Sequence, residues 1–300
     1  MKKPLRKTSE SLTKKQAKKV AKKVAKKATK KATKKATKKA TKKATKKAAK
    51  VQFGFNWHNL MTRDVDGAKR FYQAVVGWQT ALQGPDYEVL MVDGQGIGGI
   101  MAQPAESSDT PPFWLGYIMV KNVDKHCAAI KKAGGSVHKG PWDVPNILRM
   151  AVVSEPSGAV FNVYHPLMDG SMKPLKRGTV GTVGWNELHT SDLAKSTAFY
   201  AKMFGWAKGE AHDMGPEFGK YQLMKVKRQE HAGMMKRADF IPRDHWGFYF
   251  FVDGIDAGAK RITQLGGKIT NGPMQVPTGD WIVSAQDPQG AHFSLMSATK

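Results

Sequence analysis

The chain has 300 residues, enough for about two domains, and its net charge of +25 sits at one end: residues 1–50 carry 23 Lys or Arg against one acid, Glu10, for +22, leaving 26 bases and 23 acids, +3, for residues 51–300. No run approaches the roughly 20 apolar residues of a membrane span, the N-terminus lacks the apolar core of a secretory signal, and a Lys repeat with a single Arg matches a mitochondrial presequence poorly. Cys127 is the sole cysteine, so no intrachain disulfide can form and a reducing, cytoplasmic setting is expected.

From Lys14 to Ala49 the sequence runs as nine tetrapeptides beginning Lys-Lys, five of them KKAT. Ordering a residue costs on the order of 1 to 2 kcal/mol of backbone entropy. Val20, Val24 and scattered alanines cannot offset that by burial, so residues 1–50 are expected to be a disordered tail. The period of four sets Lys over Lys at i and i+4, which opposes helix until a polyanion neutralises the charge. In composition the segment resembles the Lys-Ala-rich tails of linker histones and of some bacterial nucleoid proteins. That resemblance implies nucleic acid, or another polyanion, as partner, with Lys18, Lys22, Lys26, Lys30, Lys34, Lys38, Lys42 and Lys46 as phosphate contacts and nucleoid association as the finer expectation. An array without aromatics is expected to hold phosphates with little regard to sequence. A solubility tail is the plainer alternative.

The body contains one pattern twice. NWHNLMTRDVDGAKRFYQAVVGW, from Asn56 to Trp78, aligns without a gap on GWNELHTSDLAKSTAFYAKMFGW, from Gly184 to Trp206. A repeat this long indicates two copies of one domain. Each copy reads as a strand and then a helix. Trp185, Glu187 and His189 alternate with Asn186, Leu188 and Thr190 at the two-residue period of a strand. Asp192 stands where an N-cap is wanted, and Gly205 where a left-handed residue ends the helix. Asp64 and Gly77 repeat that design.

In the first copy, strands are expected at Tyr87–Val92, Gly96–Met101 and Phe113–Val120, a helix at Val123–Ala133 ended by Gly134-Gly135, then strands at Ser136–Lys139, Met150–Ser154 and Ala159–Tyr164. The second copy repeats the order through Tyr221–Val226, Gly233–Met235, Trp246–Val252 and the helix Ile255–Leu265. GPWDVP and GPMQVP correspond, as do the turns Glu155-Pro156-Ser157-Gly158 and Asp287-Pro288-Gln289-Gly290. The expected division is a tail over 1–50, domains over 51–165 and 182–300, and a linker over 166–181 rich in Pro and Gly.

Taken together, the capping Asp, FY, GW, Gly-Gly, GPxxVP and [DE]-P-x-G resemble the vicinal-oxygen-chelate superfamily, also called the glyoxalase/bleomycin-resistance/dioxygenase fold, over about residues 52–297. The resemblance implies an α+β fold of two tandem domains, each a pair of βαβββ units forming a half-open cup with its site on the concave face. It also places the family's metal ligands at Trp57, Leu115 and Asn162 in the first domain and at Trp185, Gly247 and Ser294 in the second. A divalent metal wants about three His or carboxylate ligands, so no cofactor is expected. One shifted set, Glu187 and His189 with His292 on the strand alongside, leaves a divalent metal in the second domain as the alternative.

Cup walls bearing Trp57, Asn59, Tyr117 and Asn162, and Trp185, Tyr249, His292 and Ser294, have the apolar surface with polar tips of a small-molecule pocket, though the same aromatics could simply pack the core. Arg149 is the one basic residue placed to meet an anionic ligand. Three functions follow. The leading one is a metal-independent protein that binds or sequesters a small organic molecule and is tethered to nucleic acid by its tail. The second is a lyase or isomerase of glyoxalase type, using Glu187 as base with His189 and His292. The third is a nucleoid-associated architectural protein. Composition leaves the oligomeric state open.

Overall fold

The structure, a computed structural model of the chain, describes residues 53–84, 86–105, 109–168 and 175–300. The basic tail and its phosphate-contacting lysines lie outside the described residues. The first repeat runs β1 (Phe55–Thr62), α1 (Val65–Val76), β2 (Gln79–Leu82), β3 (Tyr87–Val92), β4 (Gln95–Ala102), β5 (Phe113–Met119), α2 (Val123–Lys132), β6 (Ser136–Val144), β7 (Leu148–Ser154) and β8 (Val160–Pro166). The second runs β9 (Val183–Thr190), α3 (Leu193–Phe204), β10 (Ala207–Asp213), the short α4 (Gly215–Phe218), β11 (Lys220–Val226), β12 (Gln229–Lys236), β13 (His245–Phe251), α5 (Ile255–Gln264), β14 (Lys268–Gln275), β15 (Trp281–Gln286) and β16 (His292–Ser297).

Each repeat forms one eight-stranded sheet, in the orders β2-β3-β4-β1-β5-β8-β7-β6 and β10-β11-β12-β9-β13-β16-β15-β14. Two βαβββ units join along the antiparallel pairs β1–β5 and β9–β13. The expected caps are in place: Asp64 and Asp192 accept from the N–H groups of Gly67 and Lys195, and Gly77 and Gly205 take positive φ of 91° and 75° to end α1 and α3. Two strands have no counterpart in the sequence reading, β2 and β10. Both are edge strands with mostly exposed side chains, so neither carries an apolar signature. β6 extends beyond Lys139 to Val144, passing Gly140 (φ 88°) with a register shift against β7, and the GPWDV residues belong to the strand.

The two sheets share one continuous core, in which Leu60, Ile118 and Phe161 of the first meet Leu188, Phe250 and Leu295 of the second. The repeated motifs stitch this core together. The Trp78 indole donates to Gly181 O (2.8 Å) just before β9, and Trp206 donates to Phe53 O just before β1, so each GW tryptophan holds the entry to the other repeat's first strand. The turn acids do likewise. Asp287 accepts from the N–H groups of Gln289 and Ala291 within its own turn and from Tyr72 of α1 across the interface (3.1 Å). Glu155 accepts from Ser157 and Ala159 and, across the interface, from Ser196 of α3 (3.0 Å). Burial raises both carboxyls above the usual range. With core and helices on one face of each sheet, the other face is left to form the cup.

Candidate functional site

In the second repeat, β9 turns Trp185, Glu187 and His189 to the cup, while Leu188, wholly buried, faces the core. Across the β9–β13 pair these stand beside Tyr249, Gly247 and His245 respectively. The Glu187 carboxylate, 12 % exposed, is the hub. Its Oε1 accepts from the Tyr249 hydroxyl (2.9 Å) and lies 3.0 Å from His189 Nε2, and its Oε2 accepts from the Tyr221 hydroxyl (2.7 Å). Trp185 Nε1 donates in turn to the Tyr221 oxygen (2.7 Å). Burial alone would raise the carboxyl's pKa. The His189 contact and the two tyrosine hydroxyls outweigh it and hold the group below the ordinary glutamate value, so it is a poor proton acceptor at neutral pH. The tyrosines answer in kind, with burial and the neighbouring carboxylate pushing both phenols up. His245 stacks on His189 at 4.9 Å and is lowered to about 4, chiefly by burial.

The first cup repeats this network with one substitution of charge. Trp57 Nε1 donates to Asn59 Oδ1 (2.8 Å) and Tyr87 OH (3.0 Å), Tyr87 OH donates to the same Oδ1 (2.8 Å), and Asn59 Nδ2 donates to Tyr117 OH (2.9 Å). Asn59 thus occupies the place of Glu187. In each cup a glycine lets the tyrosine of β3 or β11 lie across the neighbouring strand to reach the hub, because a Cβ at Gly99 or Gly233 would come within 2.2 or 2.0 Å of the Tyr87 or Tyr221 hydroxyl. Sequence reasoning missed Tyr87 and Tyr221. Their signal was visible, since each stands at or next to the start of its strand and the following strand carries a glycine, Gly99 or Gly233, at the equivalent place in the repeat.

The expected site residues divide into three groups. Trp57, Asn59 and Tyr117 meet in the first cup, as Trp185, Glu187, His189 and Tyr249 do in the second. Ser294 bonds Ser284 (2.9 Å), His292 pairs with Gln286 (2.8 Å) towards the open end, and Asn162 lies sealed in the first floor. Arg149 is not brought to the cup. It shares a face with the core residues Ala151 and Val153, and its guanidinium binds Asp124 of α2 and Asp143, all at 2.8 Å. Its reading as an anion contact took the strand to begin at Met150; starting at Leu148, β7 turns Arg149 outward.

A divalent metal does not fit these residues. Trp57, Leu115, Trp185 and Gly247 offer no ligand atom, Asn162 and Ser294 are weak donors, and among the described residues no three His, Cys, Asp or Glu side chains converge to hold one. Of the shifted set, Glu187 and His189 touch, but both carboxylate oxygens are already engaged.

Paired βαβββ units with a network of side chains on the inner face of each sheet define a vicinal-oxygen-chelate protein. The chain belongs to the Glyoxalase/Bleomycin resistance protein/Dioxygenase superfamily, whose family model matches residues 54–163 and 182–295. It is similar to CFP32 of Mycobacterium tuberculosis (strain CDC 1551 / Oshkosh), provisionally named a glyoxylase, with 28% identity over 80% of this chain and 93% of that one. It is also similar to the anthracycline biosynthesis protein DauV of Streptomyces sp. (strain C5), with 29% identity over 80% and 91%. Among solved structures, the Mn(II)-bound glyoxalase from Novosphingobium aromaticivorans shares the fold, at a TM-score of 0.58 and 16% identity over 83% of each chain.

Proposed function

We propose that this protein binds or sequesters a small organic molecule in its cups without a metal, and that its Lys-rich N-terminal segment tethers it to nucleic acid or another polyanion. The observation that carries the first part is the network in each cup, where an indole stands at the first of the family's ligand positions and bonds with a polar hub and two phenols. Flat apolar surface with a few fixed polar groups suits a small organic molecule better than it suits metal chemistry. A relative named for anthracycline biosynthesis supports the same direction. The second part rests on composition alone and accords with a cytoplasmic, nucleoid-associated protein.

The contact between Glu187 and His189 favours a second reading, a lyase or isomerase of glyoxalase type. The base would then be His189, with Glu187 orienting its ring, because a carboxylate held ionised by three partners accepts protons weakly.

A screen of aromatic compounds by thermal shift tests the leading reading. A bound compound should raise the melting temperature and quench tryptophan fluorescence, and Trp185→Ala should weaken binding of any compound held in the second cup while the chain stays folded. The reading would be wrong if Trp185→Ala unfolded the chain, as loss of a core Trp worth roughly 3 to 5 kcal/mol would, and no compound bound the wild type.

A further inference from the structure

We propose that the floor of the first cup binds a neutral, flat, mainly apolar molecule that carries a carbonyl with an N–H or O–H beside it, and that Asn162 reads that edge. This rests on the small-molecule reading above and narrows it to one cup and one ligand class.

On β8, Phe161 and Val163 enter the core while Val160 and Tyr164 join the apolar cluster of the cup, so alternation aims Asn162 at the cup floor. Asn162 is 0% exposed, and neither its Oδ1 nor its Nδ2 has a hydrogen-bond partner. A buried amide left open at both ends is costly and calls for an explanation. The second cup shows what a satisfied floor looks like. There the equivalent strand neighbours are Ser284 and Ser294, which bond each other at 2.9 Å beside Tyr249. In the first cup the partner strand supplies Val152, which cannot bond Asn162, beside Tyr117. The other polar groups of the first network, on Trp57, Asn59, Tyr87 and Tyr117, are engaged with one another.

The amide dictates the ligand. Asn162 presents a donor beside an acceptor, and its complement is an acceptor beside a donor. The floor network is neutral, Asn59 replacing Glu187, so an ionised ligand group would meet no countercharge there. Lys139 stands exposed at the rim, its Nζ 5.9 Å over the Trp142 ring. The walls over Asn162 include Trp57, Tyr117, Tyr164 and the unbranched Met61 and Met150, and such flexible thioethers can part around a flat guest.

The test is calorimetric titration of the full chain with 2-naphthamide, against 2-naphthoate, an anion, and 2-acetylnaphthalene, a carbonyl without the donor. The amide should bind at least about tenfold more tightly than either, and the shape-conserving Asn162→Leu should remove that preference. Without probe, Asn162→Leu should melt higher than wild type, because the unpaired amide is gone. Equal affinity for the three probes, no binding of any, a preference kept in Asn162→Leu, or a lower melting temperature in that variant would each overturn the inference. Binding weakened by Trp185→Ala and untouched by Asn162→Leu would sink it while leaving the broader small-molecule reading intact.

Discussion

Titrated with duplex DNA, the full-length protein should bind with little sequence preference and lose roughly 10³- to 10⁵-fold in affinity between about 50 and 200 mM salt, the result of engaging about 6 to 10 phosphates and releasing their counterions. The N-terminal 50 residues carry 23 bases, more than enough for that engagement. A chain beginning at Val51 keeps a charge of only +3 and should lose the binding. It should also melt at nearly the temperature of the full chain. The interlock of Trp78 with Gly181, Trp206 with Phe53, and the two turn acids with Tyr72 and Ser196 lies wholly within residues 53–300. Sequence-selective DNA binding retained by the shortened chain would mean that the folded repeats read nucleic acid themselves, and the tether would have to be abandoned.

Acid should destabilise the folded repeats well above the usual carboxylate range, because two imidazoles are held neutral between the sheets. His58, 5% exposed, meets the rings of Phe55 and Phe248 and lies 3.3 Å from Asn186 Oδ1, and burial lowers its pKa to about 3. His231, lowered by burial to about 4, accepts from the Phe55 N–H through Nε2 (2.9 Å), a bond that the protonated ring could not make. In the unfolded chain both rings take a proton near pH 6.5, and in the folded chain neither does until about pH 4 or lower. The unfolded state therefore binds more protons in that window, and stability falls as the pH falls through it. His58 alone accounts for about 2 kcal/mol by pH 5 and roughly 4 to 5 kcal/mol by pH 3, at about 1.4 kcal/mol per pKa unit. Glu155 and Asp287 work in the opposite direction, since their raised carboxyls favour folding as they protonate. Melting curves from pH 7 to 4.5 on wild type and His58→Gln check the account. The variant should show a flatter dependence, and parallel curves would show that His58 is not the sensor.

Much of the fold was legible because it lies in local spacing. The N-cap aspartates, the C-cap glycines and the FY and GW pairs stand in single continuous stretches, and each does in the structure what its position asks of it. What each motif does at long range was not legible. Nothing in the spacing of Gly77-Trp78 says that the indole holds the carbonyl of Gly181, over a hundred residues away. The same limit applied to the cups. The alternation of Trp185, Glu187 and His189 was readable on one strand, but Tyr221 reaches Glu187 from across β12 over Gly233, a relation that exists only once β11, β12 and β9 are paired. Arg149 failed for a smaller reason, two residues of strand that its neighbours' composition did not announce.

Cups that hold an organic molecule with their own side chains need no metal, and elemental analysis of the full-length protein, purified without chelator, distinguishes the two cases. The geometry of Trp185, Glu187, Gly247 and Ser294 predicts no stoichiometric zinc, nickel, iron or manganese. About one tightly held metal per chain, lost on Glu187→Ala or His189→Ala, would contradict the metal-free case and make the second cup a metal site.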